Sequence, residues 1–102
     1  MCENSNMIVS ICIVAYNEEK SLPGLFQDIL AQTYPHDNIE VVLIDSGSID
    51  STKNMMIKFK EEHQEFWGVQ VLDNPKGIQA SGWNVAIKSY RGDVITRIDA
   101  HS

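Results

Sequence analysis

The sequence predicts an α/β protein: three layers, α/β/α, around a mainly parallel sheet, in the order β-α-β-α-β-α-β. Three observations predict it. Met7–Ala15 and Ile39–Ile44 are near-continuous apolar, largely β-branched runs, the pattern of strands covered on both faces. The stretches that follow them carry apolar residues at helical spacing. The connections are too long for hairpins, so right-handed crossovers with helices on both faces follow.

Taken in order, Met1–Asn6 is polar and expected to be disordered. The first strand, Met7–Ala15, leads through Tyr16-Asn17-Glu18-Glu19 to a helix marked by Leu22, Leu25, Phe26, Ile29 and Leu30, with Ser21 as a cap and Pro23 in its first turn. Tyr34-Pro35 closes it. The second strand, Ile39–Ile44, ends in Asp45-Ser46-Gly47-Ser48, and a second helix runs from about Asp50 to Glu65 on a thin stripe of Met55, Met56 and Phe59, with His63 an optional fourth member. Phe66 and Trp67 are expected to seat the end of that helix, and His36 and His63 read as surface residues. Val69–Leu72 is a short third strand and Asn74-Pro75-Lys76-Gly77 a turn. Trp83, Ala86, Ile87 and Tyr90 mark a third helix, Arg91-Gly92 stops it, and Asp93–Asp99 is the fourth strand.

Length and composition narrow the class. A chain of 102 residues with 43% hydrophobic and 22% charged residues makes one globular domain. Its net charge of −6, with acids spread along the chain, disfavours nucleic acid as a partner. An anionic ligand therefore needs a cation between itself and the carboxylates. Cys2 and Cys12 lack metal-type spacing and read as reduced thiols, which favours a cytoplasmic location. The Met7–Ala15 run is too short to span a bilayer and lacks the flanks of a targeting signal.

In open parallel sheets, ligands bind beyond the carboxyl ends of the strands, near the switch in strand order. Three polar clusters fall there: Tyr16-Asn17-Glu18, Asp45-Ser46-Gly47-Ser48 and Asp99-Ala100-His101. Asn17 and Glu18 are equally suited to helix entry, and Ser48 and Asp50 to helix capping. Asp45 precedes the cap and is not needed for it, so ligand contact is its better use. Asp99 and His101, two apart in an extended backbone, project to one face and together can grip a divalent ion; the alternative is a plain strand end. One carboxylate and one imidazole leave room for water and ligand phosphates and suit Mn²⁺ at least as well as Mg²⁺. Neither Gly-x-x-x-x-Gly-Lys nor Gly-x-Gly-x-x-Gly occurs, against P-loop and dinucleotide-binding readings.

Four stretches together resemble family 2 glycosyltransferases: Ile-Val-Ala-Tyr-Asn-Glu-Glu (13–19), Ile-Asp-Ser-Gly-Ser-Ile-Asp-Ser-Thr (44–52), Asn-Pro-Lys-Gly (74–77) with Asn84, and Gly-Asp-Val-Ile-Thr-Arg-Ile-Asp-Ala-His (92–101). The last is most similar to the succinoglycan-biosynthesis type. The resemblance implies the Rossmann-like half of a GT-A fold, with residues 7–102 as the nucleotide-sugar-binding half, truncated after the metal motif. It implies that Ala15, Tyr16, Asn17, Glu18, Asp45, Gly77, Asn84 and Asp99 contact the nucleotide, and that Asp99 and His101 hold a divalent metal, Mn²⁺ or Mg²⁺. His101 stands where the family usually has an acid, Ser46 where Asp is frequent, and Trp83 where Arg is frequent.

The activity implied is sugar transfer from a nucleotide-diphosphate donor to an acceptor hydroxyl of a saccharide or lipid-linked glycan, mostly with inversion. The catalytic base would lie in a second half, so no catalytic residue is expected here and the chain alone is expected to be inactive. The full-length protein is open to membrane association, and the truncated edge to self-association. Two other classes compete: a non-catalytic nucleotide-binding or assembly module, and a receiver-like signalling domain with Asp45 as phosphoacceptor.

Overall fold

A computed structural model describes residues 7–77 and 79–99; the expected disorder of residues 1–6, and the His101 position, lie outside the described residues. The strands are β1 (Val9–Ala15), β2 (Ile39–Asp45), β3 (Gly68–Asp73) and β4 (Val94–Asp99), and the helices are α1 (Leu22–Leu30), α2 (Thr52–Glu62) and α3 (Gln79–Ser89), with a single 3₁₀ turn at His36–Asn38 before β2. The sheet order is β3-β2-β1-β4, and every pairing is parallel. The chain thus builds outward from β1 to β3 and then crosses back to place β4 on the other side of β1.

The alternation of β1 and β2 explains the layers. Ile11, Ile13, Val41 and Leu43 face one side and pack with Leu22, Ile29, Met56 and Phe59 of α1 and α2. Cys12, Val14, Val42 and Ile44 face the other and pack with Ala86 of α3. Both strands are buried on both faces, which is why they read as continuous apolar runs. No described helix is long and apolar enough to cross a membrane.

One residue breaks those runs. Glu40, between Ile39 and Val41, is 0% exposed. Its carboxylate accepts hydrogen bonds from Ser10 Oγ at 2.6 Å, Gln70 Nε2 at 2.8 Å, the Arg91 backbone N–H at 2.8 Å and Arg91 Nε at 3.3 Å. Burial alone would raise its pKa; the bonds from the Arg91 N–H, Ser10, Gln70 and the Arg91 side chain outweigh burial and hold it below the ordinary glutamate value.

The structure corrects the local expectations at several points. α2 begins at Thr52 and ends at Glu62, shorter than Asp50–Glu65. Ser21 occupies the cap position of α1 without a side-chain cap bond. The histidines are not bare surface groups: His36 stacks on Phe66 at 4.6 Å, and His63 lies 4.6 Å from the Phe59 ring with Nδ1 3.2 Å from Glu65 Oε2. Phe66 is buried as expected, whereas Trp67 is 44% exposed and carries the Arg91 guanidinium 5.4 Å above its ring.

Candidate functional site

The carboxyl ends of the strands form one polar rim. Register sets its level: Ala15 pairs with Asp45, Asp45 with Asp73, and Val14 with Asp99. β1 and β4 lie side by side, while α1 after β1 and α3 before β4 pack on opposite faces of the sheet, so the switch in strand order falls between them, where a crevice opens in such sheets.

The two loops at the centre of the rim are laced together. After β1 the chain turns at Asn17, whose φ of +52° is a left-handed conformation that Asn tolerates better than most residues. After β2 it turns at Gly47, with φ of +83°, and the Asp45 carboxylate accepts the Ser48 N–H at 3.3 Å through either oxygen. The Asn17 N–H donates to Ser48 Oγ at 2.8 Å, and the Ile49 N–H donates to Asn17 Oδ1 at 2.9 Å. The Glu18 N–H donates to Thr52 Oγ1 at 2.8 Å, the Glu19 N–H to Asp50 Oδ2 at 3.3 Å, and the Ser51 N–H to Glu19 Oε1 at 2.9 Å.

These bonds reassign the residues suspected of capping. Ser48 serves the first loop rather than α2. Asp50 accepts from the Thr52 N–H and hydroxyl; desolvation pushes its carboxyl upward, but the Thr52 and Glu19 bonds hold it below the ordinary aspartate value. Much of the polar lining at the centre of the rim is thus engaged in shaping the loops. Tyr16 is the contrast, 53% exposed at the strand exit, where its ring offers a face for stacking.

A third loop joins through Asn74, which is 2% exposed. Its N–H donates to the Asp45 carbonyl at 2.8 Å, its Nδ2 to Ser46 Oγ at 3.1 Å, and its Oδ1 accepts from Ser81 Oγ at 2.9 Å. The sequence marks Asn74 as the start of a turn and of the Asn-Pro-Lys-Gly stretch, without the bracing role that its buried amide plays here. Gly77 closes that turn with φ of +72° and its N–H on the Asn74 carbonyl at 3.1 Å. Gly82 lets α3 approach the sheet: a Cβ there would meet Val14 Cγ1 at 2.5 Å.

Ala15, Tyr16, Asn17, Glu18 and Asp45 therefore form one contiguous cluster, and Gly77 abuts it through the backbone around Ser46, whose carbonyl lies 3.7 Å from where a Gly77 Cβ would stand. Asn84 is set apart: it is exposed on α3 and lines a hollow of about 190 Å³ with Asn74, Lys76, Ser81 and Lys88. Asp99 ends β4 one register step short of Ala15. Lys53 Nζ bonds Asp73 Oδ1 at 2.6 Å, so the aspartate ending β3 is already paired. A hollow of about 610 Å³ between α2 and β3 shares no residue with the cluster.

The sequence model of glycosyl transferase family 2 matches residues 10–102. The chain belongs to this family. Among its relatives, a dolichyl N-acetyl-alpha-D-glucosaminyl phosphate 3-beta-D-2,3-diacetamido-2,3-dideoxy-beta-D-glucuronosyltransferase of Methanococcus voltae is 30% identical over 94 residues, covering 92% of this chain and 29% of that protein. Glycosyltransferase GlyG of Streptococcus pneumoniae is 33% identical over 94 residues, covering 91% and 30%. The mannosyltransferase PcManGT of Pyrobaculum calidifontis, solved with GDP-Man and Mn²⁺, superposes with a TM-score of 0.83 at 26% identity, over 92% of this chain and 27% of that one. TarS of S. aureus gives 0.80 at 26% identity, with the same coverage.

The family 2 chain thus has the GT-A architecture and spans under a third of the length of these relatives. Membership removes the receiver-like alternative for Asp45. The relatives are diverse and single out no succinoglycan type.

Proposed function

We propose that this chain is the donor-binding part of a family 2 glycosyltransferase: it holds a nucleotide-diphosphate sugar while the longer protein transfers the sugar to an acceptor hydroxyl of a saccharide or lipid-linked glycan, with inversion. The observation that carries the reading is the register that brings the ends of β1, β2 and β4 to one level at the switch point, with Ala15, Tyr16, Asn17, Glu18 and Asp45 in a single cluster. The match to a relative solved with GDP-Man and Mn²⁺ supports it.

In this reading Tyr16 stacks on the base, and Asp45, buried to 5% and already accepting the Ser48 N–H, presents its remaining acceptor capacity to base or ribose. Gly77, with Asn84 farther along α3, borders the nucleotide. A divalent ion fits the donor set only in part. Among the described residues no three His, Cys, Asp or Glu side chains form a metal-holding group, so Asp99 and His101 would hold the ion together with donor phosphates and water. When bound, Mn²⁺ or Mg²⁺ offsets the charge of the departing diphosphate. No residue of this chain is assigned as the catalytic base, and the 102 residues alone transfer no sugar. The resemblance of the Arg97–His101 stretch to the succinoglycan type points to polysaccharide synthesis, at the cytoplasmic face of a membrane or in the cytoplasm.

Calorimetric titration of UDP, GDP and dTDP, each with and without Mn²⁺, tests the reading. Metal-dependent binding of one nucleotide, lost in Asp99→Ala, is expected. Metal-independent binding would favour a non-catalytic nucleotide module, and no binding to the folded chain would remove donor binding from these residues.

A further inference from the structure

We infer that Glu40 is a positioning residue for the donor site: from the opposite end of the sheet it fixes the register of β4, the strand that carries Asp99. The inference rests on the proposed function only for its consequence at Asp99.

Among the described strands, β4 pairs with β1 alone. Among the described residues, no strand on its other edge sets how far it has slid. The link that feeds it is held amide by amide. The Arg91 N–H donates to Glu40 Oε1 at 2.8 Å, the Gly92 N–H to Ser10 Oγ at 3.0 Å, and the Asp93 N–H to the Ile8 carbonyl at 2.7 Å. The Ser10 hydroxyl donates its own hydrogen bond to Glu40 Oε1, and the Asp93 carboxylate accepts the Ile8 N–H at 2.8 Å. Glu40 is thus the common acceptor behind two of the three amides, one directly and one through Ser10.

Sterics make the same selection. A Cβ at position 92 would lie 2.4 Å from Ser10 Oγ and 2.8 Å from the Ile8 carbonyl, so only glycine fits against Ser10. A slip of one residue would bring Arg91 or Asp93 into that space. It would also shift β4 by one position and turn its alternating side chains to the opposite faces of the sheet. Stability alone gives little reason for a buried carboxylate, since apolar replacements of buried ion pairs are frequently neutral or stabilising, whereas fixing register is the best-attested use of buried polar groups. Val94–Asp99 spans six residues, so at about 3.3 Å per residue the constraint acts roughly 20 Å from its origin.

Amide hydrogen exchange on the 102-residue chain tests this. In Glu40→Gln, and in Ser10→Ala, which removes only the bridging hydroxyl, the amides of Ile95–Asp99 should exchange at least about tenfold faster while Val41–Ile44 of the β2–β3 ladder keep their protection. Gly92→Ala, which attacks the same contact without touching the charge, should give the same pattern. Equal loss of protection in all strands would reduce Glu40 to a general stabiliser and overturn the inference, as would unchanged β4 protection in Ser10→Ala and Glu40→Gln. Mn²⁺-dependent nucleotide affinity should fall in parallel by about tenfold. Loosened β4 with no nucleotide binding even in the parent chain would leave the register role standing and remove the donor-site reading instead.

Discussion

The two ends of the sheet use polar residues in opposite ways. At the amino end, Glu40 gathers Ser10, Gln70 and Arg91 into a closed group with a fully buried carboxylate. At the carboxyl end, Asn17, Ser48, Thr52 and Asp50 exchange hydrogen bonds between loop backbones and short side chains, and Tyr16 stands 53% exposed. One end is built so that nothing can enter; the other is shaped by its own bonds and still presents a face. Rigidity and access are thus divided between the ends of the same strands.

If that division holds, substitutions at the amino end should cost stability and those at the carboxyl end should cost binding more than stability. The largest effect is expected from Glu40→Ala, which leaves buried partners unsatisfied: a loss of about 3 kcal/mol in denaturant-induced unfolding. A loss under about 1 kcal/mol would erase the contrast. Because the native Glu40 pKa lies below its ordinary value of 4.5, its contribution is fully present above that pH and declines as pH falls through the native value. Glu40→Gln should therefore flatten the acid limb of stability below about pH 4.5, measured by unfolding at stepped pH.

Gly82→Ala comes next, since its Cβ would press on Val14 and come within 3.1 Å of Asn74 Nδ2; about 1–2 kcal/mol is expected from overpacking, with nucleotide affinity lowered as the Asn74 loop shifts. Asn17→Ala should cost only about 1 kcal/mol, from the strained φ and the lost acceptor, yet weaken nucleotide binding by more than the stability change explains. Equal small losses in both would show that the loop lacing is structural only. The smallest effect is a control: Gly24→Ala in α1, with nothing within 4 Å of the new methyl, should stabilise by roughly 0.5–1 kcal/mol.

What the sequence disclosed and what it hid divide along similar lines. β1, β2 and α1 were legible because their signal is local: apolar runs, a helical stripe from Leu22 to Leu30, Pro23 near its start. The placement of Tyr16-Asn17-Glu18 and Asp45 at a shared rim followed from topology. The Glu40 group was not legible, since its partners lie 30 and 51 residues away in sequence and a lone acid in an apolar strand has no local pattern. The bonds that make Ser48 a brace for Asn17 rather than a helix cap also cross between loops, 31 residues apart. His36 reads as a surface group for the same reason, since the Phe66 ring stacked on it lies 30 residues on, whereas the Phe59 ring beside His63 stands one helical turn back on the same stripe.

Cys12 sits in the middle of β1, with neighbours on both sides in β2 and β4 and no exposed surface. Burial drives its thiol pKa up to about 12, with Arg97 pulling only weakly the other way. At neutral pH it is neither accessible nor ionised, so an alkylating reagent is denied its nucleophile twice over. With Cys2 replaced by serine, the rate at which this sulfur becomes labelled would count the openings of the central ribbon, giving the protein a chemical clock at its most protected point.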